Sequence, residues 1–115
     1  MAHAGQIVLF RFPQTDLRRG KLRPALIVGK LPGSFEDWLI CMISSQTHHH
    51  IDGFDNIIST EDADFSQSGL KNSSVIRVGR LAVVDVSLLL GSIGEVDTNR
   101  LAQVKENLAN WLSEQ

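Results

Sequence analysis

Cysteine is nearly absent from this chain of 115 residues, which contains only one, Cys41. A single cysteine cannot form an internal disulfide. Because Cys41 lies inside the apolar run Trp38–Ile43, the sequence predicts a buried thiol that acts as a small hydrophobic side chain, in a protein of a reducing compartment.

Long hydrophobic runs are also missing. The first apolar stretch, Ile7–Phe12, is short and interrupted by Arg11, and the opening Met-Ala-His-Ala-Gly has no basic region. Neither a signal peptide nor a membrane-spanning helix is therefore predicted, and we expect a cytosolic protein with no membrane partner.

Several motifs that mark common enzyme classes do not occur. The chain has no Cys/His spacing of a zinc site, no Walker-type phosphate loop, no G-x-S-x-G elbow and no dinucleotide fingerprint. His48–His50 with Asp52 permits a metal-site interpretation, but consecutive side chains on an extended loop alternate in direction and rarely converge on one ion. We expect neither a metal nor another cofactor.

The charge balance is slightly acidic, with a formal net charge of −2. Such a balance argues against a protein that coats nucleic acid over its whole surface, because that binding depends on Lys and Arg neutralising phosphates. Basic residues are clustered early and acidic ones dominate the middle. This distribution fits a local anion site with an acidic periphery, or simply two solvated charged loops. The basic cluster comprises Arg18, Arg19, Lys21, Arg23 and Lys30.

One domain spanning residues 1–115 accounts for the length, and the hydrophobic and charged fractions of 43% and 21% are those of a globular protein. Short apolar or β-branched runs, each followed by a turn signal, predict a mainly β fold. The predicted strands are Ile7–Phe12, Pro24–Gly29, Trp38–Ser45, Asn56–Ile58, Ser74–Arg80, Leu81–Val86 and Gly91–Val96.

The period changes near the end of the chain. Apolar residues at three- and four-residue spacing from Leu101 to Leu112, with Asp97 or Thr98 as N-cap, predict an amphipathic helix of about four turns. The remaining segments, 14–22 and 59–69, are predicted as an exposed loop and as a loop or single helical turn. The fold class is thus a small antiparallel barrel closed by a C-terminal helix.

Three segments, taken in order, resemble the MazF/PemK family of toxin ribonucleases. They are Gly5-Gln-Ile-Val-Leu-Phe-Arg-Phe-Pro13, Lys21-Leu-Arg-Pro-Ala-Leu-Ile-Val28 and Ile40-Cys-Met-Ile-Ser-Ser-Gln46. A later serine/valine strand and a terminal helix complete the family pattern, so the likeness covers nearly the whole chain. It implies an SH3-like barrel and a homodimer. It also implies a cognate antitoxin whose acidic C-terminal segment competes with RNA for a groove beside the dimer interface.

The resemblance also implies the site residues. The family's arginine of Arg-Pro and its threonine at the end of the third strand correspond to Arg23 and Ser44, so serine replaces threonine here. Arg80 stands where the family often has glutamine. We assign catalysis to Arg23 and Ser44. Binding of single-stranded RNA, such as mRNA, is assigned to Arg18, Arg19, Lys21, Gln46 and Arg80.

The implied reaction requires few groups from the enzyme. RNA carries its own nucleophile, the 2′-hydroxyl, so cleavage to a 2′,3′-cyclic phosphate and a 5′-hydroxyl needs no metal-activated water. A guanidinium can give two hydrogen bonds to phosphoryl oxygens as charge develops, and a hydroxyl can give a third. DNA lacks the 2′-hydroxyl and should not be cut.

Other interpretations stay open on the residues alone. Arg23 could be a surface charge at a strand entrance, and Ser44 a half-buried strand residue bonded to backbone. Trp38 and Trp111 could stack on bases, although their apolar periodic contexts favour core or interface packing. Two rival functions follow: a barrel that binds RNA or protein without turnover, and a metal-dependent hydrolase that uses His48–His50.

Overall fold

A computed structural model describes residues 2–11 and 21–115 of the chain. These residues form six strands and two helices, besides two short 3-10 turns. The strands are β1 (Gln6–Arg11), β2 (Leu22–Lys30), β3 (Asp37–Ser44), β4 (Asn56–Ile58), β5 (Ser74–Asp85) and β6 (Ser92–Glu95), and the helices are α1 (Phe65–Ser68) and α2 (Thr98–Ser113). Most of the predicted loop 14–22 lies outside the described residues.

All six strands belong to one antiparallel sheet in the order β4-β5-β3-β2-β1-β6. The sheet curls into a half-barrel, so the predicted fold class is confirmed. The prediction of two strands across 74–86 was wrong, because β5 is continuous from Ser74 to Asp85. A register shift opposite Cys41 and Met42, between Arg77 and Leu81, bends β5 without ending it.

The larger apolar core lies between the sheet and α2. Leu26, Ile43 and Ile76 from the strands pack with Val104 and Leu108 of the helix in one buried cluster. The helix begins as predicted, since the Asp97 side chain accepts a hydrogen bond from the Arg100 backbone N–H at 2.8 Å. Leu112 and Trp111, predicted on the same apolar face, are 56% and 44% exposed, so the helix leaves the core in its last turn.

A second buried cluster, which includes Ile27, Trp38 and Ile40, lies on alternate residues of the same strands. Trp38 therefore packs in the core, whereas the Trp111 ring lies 5.9 Å from the Phe54 ring at the surface. Cys41 is fully buried in the larger core, where burial, and secondarily the Asp55 charge, raise the pKa of its thiol to about 12. No helix in the described part of the chain is long and apolar enough to cross a membrane.

Candidate active site at the strand ends

A cleft of about 460 Å³ opens where β2 and β3 meet at the edge of the half-barrel. It contains Arg23 and Ser44, the two residues predicted to be catalytic. The other described residues that line it are Leu9, Leu22, Pro24, Ile43, Ser45, Gly69, Leu70, Lys71, Asn72, Ser74 and Ile93. Residues from five strands thus contribute to one small concave surface.

The pairing of β2 with β3 explains why Arg23 and Ser44 come together. Ala25 is paired with Met42 in an antiparallel ladder, and the same register continued by two residues places Arg23 opposite Ser44. Residues directly opposite each other in such a pair project from the same face of the sheet. The two side chains, which are distant in sequence, are therefore neighbours across the strand ends.

The Arg23 side chain is half-buried and forms no hydrogen bond or ion pair with any described residue. Its backbone is held in the β1–β2 ladder opposite Phe10, and Pro24 follows it in the strand. A guanidinium has five N–H donors and remains charged at neutral pH. Arg23 thus offers an unused, positioned set of donors to an anion in the cleft.

Ser44 is only 6% exposed, and its Oγ accepts a hydrogen bond from the backbone N–H of Gln46 at 3.1 Å. No described residue accepts a hydrogen bond from Ser44 Oγ, so its hydroxyl proton can donate to a ligand. The contact also restricts rotation about the Cα–Cβ bond, so it supplies the rotamer restriction that a threonine methyl would otherwise give.

The segment Gly69–Ser74 forms a further wall of the cleft, running from a contact with β6 to the start of β5. Gly69 adopts a left-handed conformation with φ of 74°. A Cβ added there would overlap the Ile93 carbonyl, and one added at Gly94 would overlap the carbonyls of Gln67 and Ser68. The two backbones approach so closely only because both positions are glycine.

The remaining predicted binding residues are distributed unequally. Lys21 is exposed just before β2, and Gln46 is exposed beyond Ser44, which its backbone contacts. Arg80 lines a different and smaller cleft of about 200 Å³, together with Arg77. Arg18 and Arg19 lie outside the described residues. The structure brings Arg23 and Ser44 together and places Arg80 elsewhere.

Charge distinguishes this cleft from a larger one of about 660 Å³ that is lined by Phe54, Leu81 and Trp111. The charged side chains among the described residues of the larger cleft are Asp52 and Glu114, both of which repel phosphate. In the Arg23 cleft the charged lining residues that the structure describes are Arg23 and Lys71. An anionic substrate is therefore favoured in the smaller space.

The histidines lie on a 3-10 turn, Thr47–His49, after β3. The rings of His48 and His49 are 4.2 Å apart, and desolvation followed by the nearby charges of His48, Arg77 and Arg80 lowers the pKa of His49. Across residues 2–11 and 21–115, no three His, Cys, Asp or Glu side chains are placed to hold one metal ion.

A family model described as PemK-like, MazF-like toxin of type II toxin-antitoxin system matches residues 3–112. The chain belongs to this family. Toxins of the family are endoribonucleases in general. No curated protein matches the sequence.

Solved structures with the same fold include MazE-MazF from Deinococcus radiodurans, which is 21% identical in sequence, with a TM-score of 0.73. The matched region covers 99% of this chain and 97% of the Deinococcus chain. Mycobacterium tuberculosis toxin MazF-mt6 is 17% identical, with a TM-score of 0.66 and coverage of 94% and 96%. An endoribonuclease in complex with its cognate antitoxin, from Mycobacterial species, is 12% identical, with a TM-score of 0.70 and coverage of 100% and 98%.

Proposed function

We propose that this chain is the endoribonuclease toxin of a type II toxin-antitoxin pair and cuts single-stranded RNA without a metal. The observation that carries the proposal is the Arg23 guanidinium, which has no partner among the described residues, opposite the Ser44 hydroxyl in one cleft. The family match supports the toxin class, and the two cations of the cleft, Arg23 and Lys71, support an anionic substrate such as RNA.

The reaction is an internal transesterification. The 2′-oxygen forms a bond to phosphorus while the bond from phosphorus to the 5′-oxygen breaks, leaving a 2′,3′-cyclic phosphate and a 5′-hydroxyl. One proton leaves the 2′-hydroxyl and one reaches the departing oxygen, so protons balance. Negative charge builds up on the non-bridging oxygens, where Arg23 donates two hydrogen bonds and Ser44 a third.

The direct test is incubation of single-stranded RNA with the protein in EDTA. We expect cutting that persists with chelator, cyclic-phosphate ends, and no cutting of DNA. Arg23→Ala should lower the cleavage rate by about 10²–10³-fold, the usual loss when a donor to a developing oxyanion is removed. Lys105→Ala is the matched control, because Lys105 is an exposed cation on α2 away from the cleft. Uncut RNA, or equal cutting by Arg23→Ala, would remove the proposal.

A binding module without turnover is the second candidate, motivated by serine in place of the family threonine at Ser44. Here Ser44→Ala and Ser44→Thr separate the two. An enzyme should lose rate on removal of the hydroxyl and keep it with threonine. If wild type and both variants bind RNA equally and none inhibits bacterial growth, the module is the better description.

The proposed partners follow from the same surface. We propose a cytosolic homodimer whose cleft is blocked by the acidic C-terminal segment of a cognate antitoxin, which complements the early basic residues, Lys21 and Arg23 among them. An acidic peptide from that antitoxin should protect RNA from cutting, and the protection should weaken as salt rises. Protection that is indifferent to salt would argue against charge complementarity.

A further inference from the structure

Lys71 is the second cation of the Arg23 cleft, and no sequence motif pointed to it. It lies on the Gly69–Ser74 wall, contributed by the connection between α1 and β5, whereas Arg23 belongs to β2. Asn72 and Ser45 line the same cleft and add neutral hydrogen-bonding groups. The cation-bearing walls thus come from two separate parts of the chain.

The backbone that carries Lys71 is held firmly. Ser68 Oγ donates to the Phe65 carbonyl and accepts from the Leu70 backbone N–H at 3.2 Å, which ties the segment to α1. On its other side Gly69 rests directly on the β6 backbone at Ile93. Lys71 therefore emerges from a fixed position beside the cleft.

The Lys71 ammonium has no partner among the described residues. It is exposed and forms neither an ion pair nor a hydrogen bond with them. Two acidic residues near α1, Asp62 and Asp64, both form ion pairs with Arg100 and not with Lys71. The positive charge of Lys71 is consequently available to a ligand in the cleft.

We propose that Lys71 binds a backbone phosphate of the RNA next to the one that is cut. This inference rests on the proposed function. In the proposed function, Arg23 and Ser44 lie opposite each other and bind the scissile phosphate. An RNA strand carries a further phosphate on each neighbouring nucleotide. Lysine, a point charge on a flexible stem, suits contact with such a phosphate without fixing its geometry. Lys71 then contributes to binding and not to the chemical step.

The test uses the full chain and an RNA oligonucleotide that spans a site mapped with the wild-type protein, with a 2′-O-methyl group at the cleaved nucleotide. The dissociation constant is measured across a salt series for Lys71→Gln, Lys71→Arg and the matched control Lys105→Gln. One lost phosphate contact should make the slope of the log association constant against log salt less negative by about 0.7, and should weaken binding roughly threefold at low salt.

Lys71→Arg should restore the slope, and Lys105→Gln should leave it at the wild-type value. The single-turnover cleavage rate at saturating RNA should be unchanged in Lys71→Gln. A slope in Lys71→Gln equal to that of Lys105→Gln, in a wild type that cuts RNA, overturns this inference alone. A wild type that neither cuts nor binds RNA overturns the proposed function and this inference with it.

Discussion

Arg100 and Arg23 are both partly buried, yet their surroundings are opposite. Arg100 makes five hydrogen bonds: Nε and Nη2 donate to Asp64, Nη2 also to Asp62, and Nη1 to the Asn56 side chain and the Ile57 carbonyl. Arg23 makes no side-chain hydrogen bond within the described residues. The Arg100 guanidinium is fully engaged within the fold, whereas the Arg23 guanidinium has no partner in the described part of the chain.

The difference separates a cation with a structural role from a candidate site cation. Arg100 joins the start of α2 to β4 and, through Asp64, to the start of α1, and so it helps to hold the wall of the cleft that carries Lys71. Among the described residues, no partner offsets the cost of bringing the Arg23 charge partly out of water. A half-buried charge that none of the described residues pairs with makes Arg23 a candidate to bind an anionic ligand.

The largest effect on stability is expected at Arg100. Arg100→Met leaves Asp64, whose side chain is 3% exposed, as a buried carboxylate without its cation, and we expect a loss of about 3–5 kcal/mol in the free energy of unfolding. Chemical denaturation monitored by tryptophan fluorescence measures it. A loss below about 1 kcal/mol would show that the network is not a structural clamp.

The same contact sets a pH dependence. The hydrogen bond from the Arg100 side chain, opposed by burial, lowers the pKa of Asp64. Stability from this pair is therefore fully present above the ordinary pKa of an aspartate, near 3.8, and is lost as pH falls through the lowered folded value. The stability difference between wild type and Arg100→Met should be largest near neutral pH, where Asp64 is ionised in both proteins, and should shrink as pH falls through that range.

Arg23→Met makes the same replacement at the other arginine and should give the opposite result, with stability kept and cleavage lost. We expect the free energy of unfolding to stay within about 0.5 kcal/mol of wild type, because none of the described residues loses a hydrogen bond or an ion pair. Cleavage should fall by about 10²–10³-fold, or roughly 3–4 kcal/mol in the activation barrier. A variant that is strongly destabilised while still cutting RNA would reverse the assignment of the two arginines.

A smaller effect should come from the glycine contact behind the cleft. Gly94→Ala places a methyl group against backbone carbonyls of Gln67 and Ser68, and overpacking of this kind costs about 1–3 kcal/mol. Gly29→Ala is the control, since nothing lies within 4 Å of an added Cβ there. Thermal unfolding compares the two. Equal melting temperatures would mean that the wall carrying Lys71 is not held by this contact.

The sequence predicted the strands and the long helix well because their signals are local. Apolar runs and turn residues marked the strands, and Asp97 with the spacing from Leu101 to Leu108 marked α2. The main error, at β5, arose because a register shift and a strand end both interrupt the alternation of side chains. The pairing with β3 distinguishes a register shift from a strand end, because β3 is paired with β5 on both sides of the shift.

The site was predictable only in part, for a related reason. Arg23 and Ser44 were found through a family resemblance, while their placement opposite each other depends on a ladder register that no single strand encodes. Lys71 had no motif, because its position follows from two glycines that are distant in sequence and meet in space. The Gln46 contribution was expected from its side chain, whereas the structure adds a role for its backbone N–H.

Pro24 restricts the backbone conformation of Arg23. A residue that precedes proline is sterically confined to extended conformations, and the proline ring fixes its own φ as well. The cation therefore starts from a backbone that is already ordered before any ligand binds, so less conformational entropy would remain to be lost on binding. In this cleft the rigidity is encoded by two adjacent residues of the chain.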